Sequence, residues 1–312
     1  VSGYPEVAGP DPARTPALGA LLDDLRRRHG DAVEAVLLYG SCLRDGDIFD
    51  GLLDLYLVVE SYARAYDSGF LAAANRLLPP NVFYAEAERE GRTLRAKVAV
   101  ISLRDFRRGC SRRWFQPYIW GRFAQPASMI FCRDARVRET VEDCLFRAAY
   151  TLLRRGLPVV PPEGTVEQLW TAALELSYGT ELRAERAGRA AELVAAGAKF
   201  YERVTPRRID SPVLDFEVYD ADGETRYRCR MKASTRRIAS LHWFGRRVQG
   251  KALSVARLVK ALFTFEGGLD YIAWKLERHS GQEIAIPDKV RRLPLVYLWP
   301  YFWGLYRRGI FK

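Results

Sequence analysis

Two neighbouring stretches carry residue types from which phosphate chemistry could be built. Gly40-Ser41 closes one apolar run and Asp54 stands inside the next, in YGSCLRDGDIFDGLLDLYLVV from Tyr39 to Val59. A Gly-Ser turn lets main-chain N–H groups approach a phosphate where a side chain would block them. A carboxylate oxygen on the following strand suits a hard divalent cation such as Mg2+ or Mn2+. Together they could hold a triphosphate while its α-phosphorus is attacked. Leu52, two residues before Asp54, carries no carboxylate, so a second metal ligand would have to come from elsewhere. The candidates are Asp45, Asp47 and Asp50 in the intervening loop, and Glu86 and Glu88 near the next strands. Alternatively, Asp54 works alone or the site is inactive.

These residues need a strand framework. Val33–Tyr39 and Leu53–Val59 read as core strands. Thr15 is placed to cap a helix from Pro16 to about Arg28, with Leu18, Leu21, Leu22 and Leu25 on one face. Ser68 to Leu78 predicts a helix ended by Pro79-Pro80. Val82–Ala87 and Thr93–Ile101 predict paired strands turning at Glu90-Gly91. The result is an α/β (α+β) domain of four strands over residues 1–135, its first 15 or so residues disordered. Residues 136–286 read as helical, with helices over Val137–Arg155, Thr165–Tyr178, Glu181–Ala196, Ala252–Phe265 and Leu269–Arg278. A hairpin near 214–232, turning at Ala221-Asp222-Gly223-Glu224, resembles the wing of a winged-helix unit.

Composition narrows the partners. The chain has 312 residues, 48% of them hydrophobic, enough for packed cores. A net charge of +11 favours anionic partners. Five cysteines without CxxC spacing and three scattered histidines predict reduced thiols and no zinc site. No apolar leader precedes the Pro-rich start, so a cytoplasmic location is expected. Residues 287–312 form a basic, aromatic tail. Its uncharged run LPLVYLWPYFWGLY, Leu293–Tyr306, lies between Arg291-Arg292 and Arg307-Arg308. As a helix it would rise only about 21 Å, against roughly 30 Å of hydrocarbon. The expectation is a peripheral, amphipathic contact with an anionic membrane. The alternative is packing on the protein's own core or on a second subunit, as a homodimer.

The Gly-Ser turn followed by a strand Asp resembles nucleotidyltransferases of the polymerase-beta type. Several further segments, in order, resemble one family of that superfamily, the mitochondrial-type phosphatidate cytidylyltransferases, also called the mitochondrial translocator assembly and maintenance proteins. Gly40-Ser41 and the single Asp54 fit its first motif. Gly91-Arg92 followed by KVAVIS resembles its second, matching Lys97 and Ser102. RRWFQPYIWGRFAQP supplies Trp114, Tyr118, Gly121, Arg122 and Pro126, with Gln125 where the family has Lys. LSYGTELR supplies Leu176, Ser177, Tyr178, Glu181 and Arg183, with Glu for Asp and the Gly displaced to Gly179. KALFT, Lys260–Thr264, with Gly267 and Gly268 beyond, resembles the last. The resemblance covers roughly residues 35 to 275.

It implies a transferase that uses CTP and a divalent cation to convert phosphatidate into CDP-diacylglycerol and pyrophosphate. Gly40, Ser41, Lys97, Tyr118, Arg122, Tyr178 and Arg183 would bind the nucleotide. Ser41, Asp54 and Lys97 would be catalytic, and Asp54 would hold the metal. Tyr178 and Arg183, five residues apart, reach one site only if the chain bends at Gly179. Lys251, Arg257 and Lys260 are candidates for the lipid phosphate, or else a solvated basic face. Arg226, Arg228 and Arg230 alternate on one hairpin face that meets either anionic lipid or water. No specific nucleic acid is expected, since no aromatic-basic nucleic-acid module is evident. The rival readings are transfer to RNA or a small molecule, and an inactive nucleotidyltransferase-like scaffold at a membrane.

Overall fold

The structure is a computed structural model, which describes residues 3–45, 48–49, 51–182, 186, 188–221, 223–265, 277, 286–292 and 300. A five-stranded mixed sheet organises the first half. Its strands are β1 (Val33–Tyr39), β2 (Leu53–Val59), β3 (Asn81–Arg89), β4 (Arg92–Ser102) and β5 (Ala127–Cys132), in the order β3-β4-β2-β1-β5. Only β2 and β4 run parallel; the other neighbours are antiparallel. The β3–β4 turn has positive φ at Glu90 and Gly91, 55° and 70°, as a two-residue hairpin turn demands.

Strand alternation gives the sheet two faces. Val36, Leu38, Leu55, Leu57, Val98 and Val100 lie on one. Helix α1 (Pro16–His29) covers it with Leu18, Leu21 and Leu25, all fully buried. Pro16 starts that helix, while the Thr15 side chain makes no capping bond. The opposite face carries Leu37, Tyr56, Val58, Ala99 and Ile101 into a second core shared with helices. Between the strands come α2 (Cys42–Asp45), α3 (Tyr62–Ala65), α4 (Gly69–Leu77), α5 (Leu103–Gly109) and α6 (Trp120–Phe123). Then follow α7 (Ala135–Gly156), α8 (Val166–Tyr178), α9 (Arg189–Ala196) and α10 (Ala198–Val204). Thr165 and Gln168 form a capping box at the start of α8. The hairpin β7 (Asp215–Ala221) and β8 (Glu224–Arg230) gains β6 (Glu163–Thr165) to make a three-stranded antiparallel sheet. Helix α11 (Ala233–Thr264) runs for 32 residues, and α12 (Asp288–Arg292) is the last described helix.

Several expectations need correction. The N-terminal segment is ordered where described: the Tyr4 hydroxyl donates to the Ala127 carbonyl and accepts from its N–H, and its ring meets Phe200 edge-on. The sheet has a fifth strand, β5. The helix expected from Glu181 starts only at Arg189, because Gly188 precedes it in the left-handed region, φ 84°. Helix α11 begins about twenty residues earlier than expected. The arginine stripe of β8 is partly neutralised: Arg226 pairs with Glu224, and Arg228 with Glu163 and Glu217. Residues 266–276 and 278–285, and the apolar tail run Leu293–Tyr306 except Pro300, lie outside the described residues. No helix among the described residues is long and apolar enough to cross a membrane.

One buried amide fixes the link from α4 into β3, which matters because Lys260 bonds that link. The fully buried Asn75 donates to the Tyr66 hydroxyl at 2.9 Å and the Val100 carbonyl at 3.0 Å, and accepts from Asn81 N–H at 2.8 Å. Asn75→Ala strands those groups without partners. It should destabilise the chain by about 2–4 kcal/mol in urea titration; a loss below about 0.5 kcal/mol would show the amide is not the fastener.

Candidate functional site

Asp54 sits near the start of β2, with Tyr39 of β1 opposite it and Lys97 of β4 beside it in parallel register. All three lie on the face that meets the helices, as does Tyr56 two residues on. Gly40 follows Tyr39 with φ +90°, where a Cβ would come within 2.9 Å of Asp54 Oδ2. Glycine is therefore required twice, by its backbone and by the closeness of the carboxylate. Ser41 is exposed at the bend and leads into the single turn of α2. The thiol of Cys42 donates to the Leu52 carbonyl at 3.3 Å, tying the two ends of the intervening loop.

Arg122 of α6 reaches this corner from the helical side. One nitrogen donates to the Tyr56 hydroxyl at 3.2 Å and another to Glu181 Oε1 at 3.4 Å. Its guanidinium lies over the Tyr118 ring, 4.5 Å from the centroid, and 5.6 Å from that of Tyr39. On the other side of Tyr118, the Arg257 guanidinium of α11 stands 3.8 Å from the ring centroid. Arg257 Nε donates to the Pro79 carbonyl at 3.4 Å; its Nη1 is buried without a hydrogen-bond partner among the described residues. Lys260, one turn on, donates to the carbonyls of Pro80 at 2.7 Å and Leu78 at 2.5 Å.

Close packing sets this geometry. Gly121 abuts Ser177 of α8 so tightly that a Cβ would fall 2.1 Å from Oγ. Gly250 of α11 would place one 2.4 Å from the Thr180 carbonyl. The chain does turn at Gly179, and the turn delivers Glu181 to Arg122.

The electrostatics follow. Burial raises the Asp54 carboxyl above the ordinary aspartate range, only partly offset by Lys97 and Arg122. Burial also raises the hydroxyls of Tyr39 and Tyr56. Tyr118 differs: burial would raise it, but Arg122, Arg257 and Lys97 outweigh that and hold it below the ordinary tyrosine value. Burial and the neighbouring Arg257 push Lys260 down to about 8. The corner thus sets two carboxylates, Asp54 and Glu181, among the cations Lys97, Arg122 and Arg257, an excess of positive charge suited to a polyanion.

Of the expected site residues, the structure brings together Gly40, Asp54, Lys97, Tyr118, Arg122 and Arg257, with Ser41 at the adjoining bend. Tyr178 packs its ring against the shared core at the end of α8. Lys251 is exposed, about 120° around α11 from Arg257. Arg183 lies outside the described residues. Tyr39, Tyr56 and Glu181 join the cluster; the period-two alternation from Asp54 to Tyr56 is the signal that points to Tyr56.

For a metal, Glu86 and Glu88 are on the wrong strand. With β4 between β3 and β2, they stand about 9 Å or more from Asp54 across the sheet. Glu86 instead meets Arg95 and the Tyr84 hydroxyl. Asp47 and Asp50 lie outside the described residues, and only the backbone of Asp45 is described. Among the described residues no group of three His, Cys, Asp or Glu could hold a metal. Asp54 fits a Mg2+ shared with water and substrate phosphates, and neither Glu86 nor Glu88 adds a second carboxylate to it.

No family model matches this chain, and no curated protein matches it. Among solved structures, the chain is similar to a nucleotidyltransferase-like protein from Exiguobacterium sibiricum, at 9% identity over 93% of this chain and 91% of the other, with a TM-score of 0.24. Similarity at that level carries no argument about fold or function.

The raised Asp54 carboxyl yields a test with a definite sign. The folded chain binds that proton more tightly than the unfolded chain, so this group's contribution to stability rises as pH falls through the raised value. Asp54→Asn should therefore leave the melting temperature at pH 7 unchanged or higher. A clear drop would mean that attraction to Lys97 and Arg122 outweighs burial.

Proposed function

We propose that this chain is a nucleotidyltransferase with its nucleotide phosphates bound at the Gly40–Asp54–Lys97–Arg122 corner, and that it is a CTP:phosphatidate cytidylyltransferase. The observation that carries the first part is Asp54 held against Gly40, beside Lys97 and facing Arg122. The identity of base and acceptor rests on the resemblance of the ordered motifs. Two of these, around Arg122 and Glu181, meet through an ion pair although they are 59 residues apart. In this reading the second half is a winged-helix-like unit and residues 287–312 are a membrane-contacting tail.

In the proposed reaction a phosphate oxygen of phosphatidate attacks the α-phosphorus of CTP. A new O–P bond forms, the bond to the β-phosphate breaks, and pyrophosphate leaves with the bonding electrons. The attacking oxygen is already anionic at neutral pH, so no protein base has to take a proton. What the chain must supply is alignment and charge. The Gly40-Ser41 bend and the Ser41 hydroxyl would bind the β- and γ-phosphates. Lys97 and Arg122 would offset charge on the α-phosphate and on the departing pyrophosphate. Arg257, on the far side of Tyr118, would add a third cation to the phosphate-binding corner. A bound Mg2+ would supply Lewis-acid stabilisation at Asp54.

A second reading, a nucleotide-binding protein without activity, has Leu52 in its favour. Purified chain, radiolabelled CTP, magnesium and short-chain phosphatidate discriminate the two. Label should enter an organic-extractable product only with all components present, and Asp54→Asn should slow it by at least about 10²-fold. Transfer to RNA and not to lipid would replace the acceptor. Magnesium-dependent CTP binding without any transfer would favour the inactive reading.

A further inference from the structure

Helix α11 turns an apolar stripe outward. Toward the protein it presents Trp243, Arg246, Gly250 and Arg257; Trp243 and Arg246 are 2% and 5% exposed. Away from it run Ile238, Leu241, Val248, Val255, Val259 and Phe263, each about half exposed or more. Their spacing of three, four or seven keeps them in one stripe. The stripe follows a helix of roughly 48 Å. Water is a poor neighbour for so long a contiguous apolar surface.

Charge says what covers it. Between Ala233 and Thr264 there are seven Lys or Arg and no Asp or Glu. Arg236, Arg247 and Lys251 are exposed along one flank, and Arg237 is exposed at the N-terminal end of the stripe itself. On the other flank a groove of about 680 Å3 begins at Ile238 and is lined by Arg112, Arg113, Arg154, Arg155 and Arg246, with no acidic residue. None of these nine cations forms an ion pair among the described residues. Arg155 and Arg246 hold backbone carbonyls of residues 112–115 instead. Burial, then the neighbouring arginine in each case, pushes both down to about 10. Guanidinium groups crowded together without carboxylates attract an anionic partner. A second copy of this helix would bring cations against cations. A nucleic acid would satisfy the arginines and leave the apolar stripe facing water. An anionic bilayer satisfies both, with acyl chains against the stripe and headgroup phosphates along its two borders.

We infer that the outer face of α11, with the arginine groove beside it, docks on an anionic phospholipid surface. This contact is separate from the tail of residues 287–312 and does not depend on the nucleotide site, since none of its exposed residues belongs to that corner.

The test uses the full chain and sedimentation with vesicles of phosphatidylcholine, with or without phosphatidylglycerol. The chain should pellet with the anionic vesicles only. Two variant sets probe the two components: Leu241→Asn with Val248→Asn and Val255→Asn, and Arg112→Gln with Arg113→Gln and Arg247→Gln. All six side chains are exposed, so melting temperatures should hold, and each set should weaken vesicle binding by at least about tenfold although the tail is intact. Unchanged binding by the apolar set would overturn the proposal. So would a concentration-dependent dimer that the apolar set dissociates, or a lowered melting temperature showing that the chain covers its own stripe. Displacement by RNA without vesicle binding would reassign the groove. Transfer to a soluble short-chain acceptor should be equal in both sets, so failure here is distinguishable from failure of the proposed activity.

Discussion

The largely buried guanidinium of Arg122 is the interaction on which this architecture turns. It joins the sheet, through the Tyr56 hydroxyl, to the turn after α8, through Glu181, and it stacks on Tyr118. A guanidinium suits this post because its planar fork donates in several directions while its face lies on an aromatic ring. A lysine would keep the charge and lose the geometry. Gly121 lets Arg122 come so close, since a side chain there would collide with Ser177. The strand acid and the helical half thus meet at one residue, and the positive charge it brings faces Asp54.

Much of the first half was legible in the residues. The apolar runs of β1 and β2 predict both strands to the residue, and Glu90-Gly91 marks the hairpin. Strand β5 was not legible, because Ala127–Cys132 is a short edge segment with weak alternation. Helix α11 was half hidden for a physical reason. Gly245 and Gly250 lower helix propensity in its first half, yet Gly250 lets the helix approach Thr180. Similarly, Glu181 lies in a helical-looking run, but Gly188 takes a left-handed conformation and the helix starts beyond it.

Within the site, Gly40-Ser41, Asp54 and Arg122 could be picked out from residue type and order. Their convergence could not, because it depends on which strand lies beside which. The β3-β4-β2 order sets Lys97 next to Asp54 and removes Glu86 and Glu88 from it. Arg257 shows the same limit. In sequence it belongs with Lys251 and Lys260; in space it stands across Tyr118 from Arg122. Its helix carries two surfaces with different chemistry, Arg257 and Lys260 turned in toward the Asp54–Arg122 corner and an apolar stripe turned out.

The central claim is that the corner built on Asp54 binds a nucleoside triphosphate by its phosphates. A crystal structure of the chain with magnesium and a non-hydrolysable CTP analogue tests it directly. The account predicts phosphates in hydrogen-bond reach of the Gly40-Ser41 bend, Lys97 and Arg122, with a cation between Asp54 and the phosphate oxygens. Nucleotide bound elsewhere, with Arg122 still paired to Glu181 and the corner empty, would contradict it.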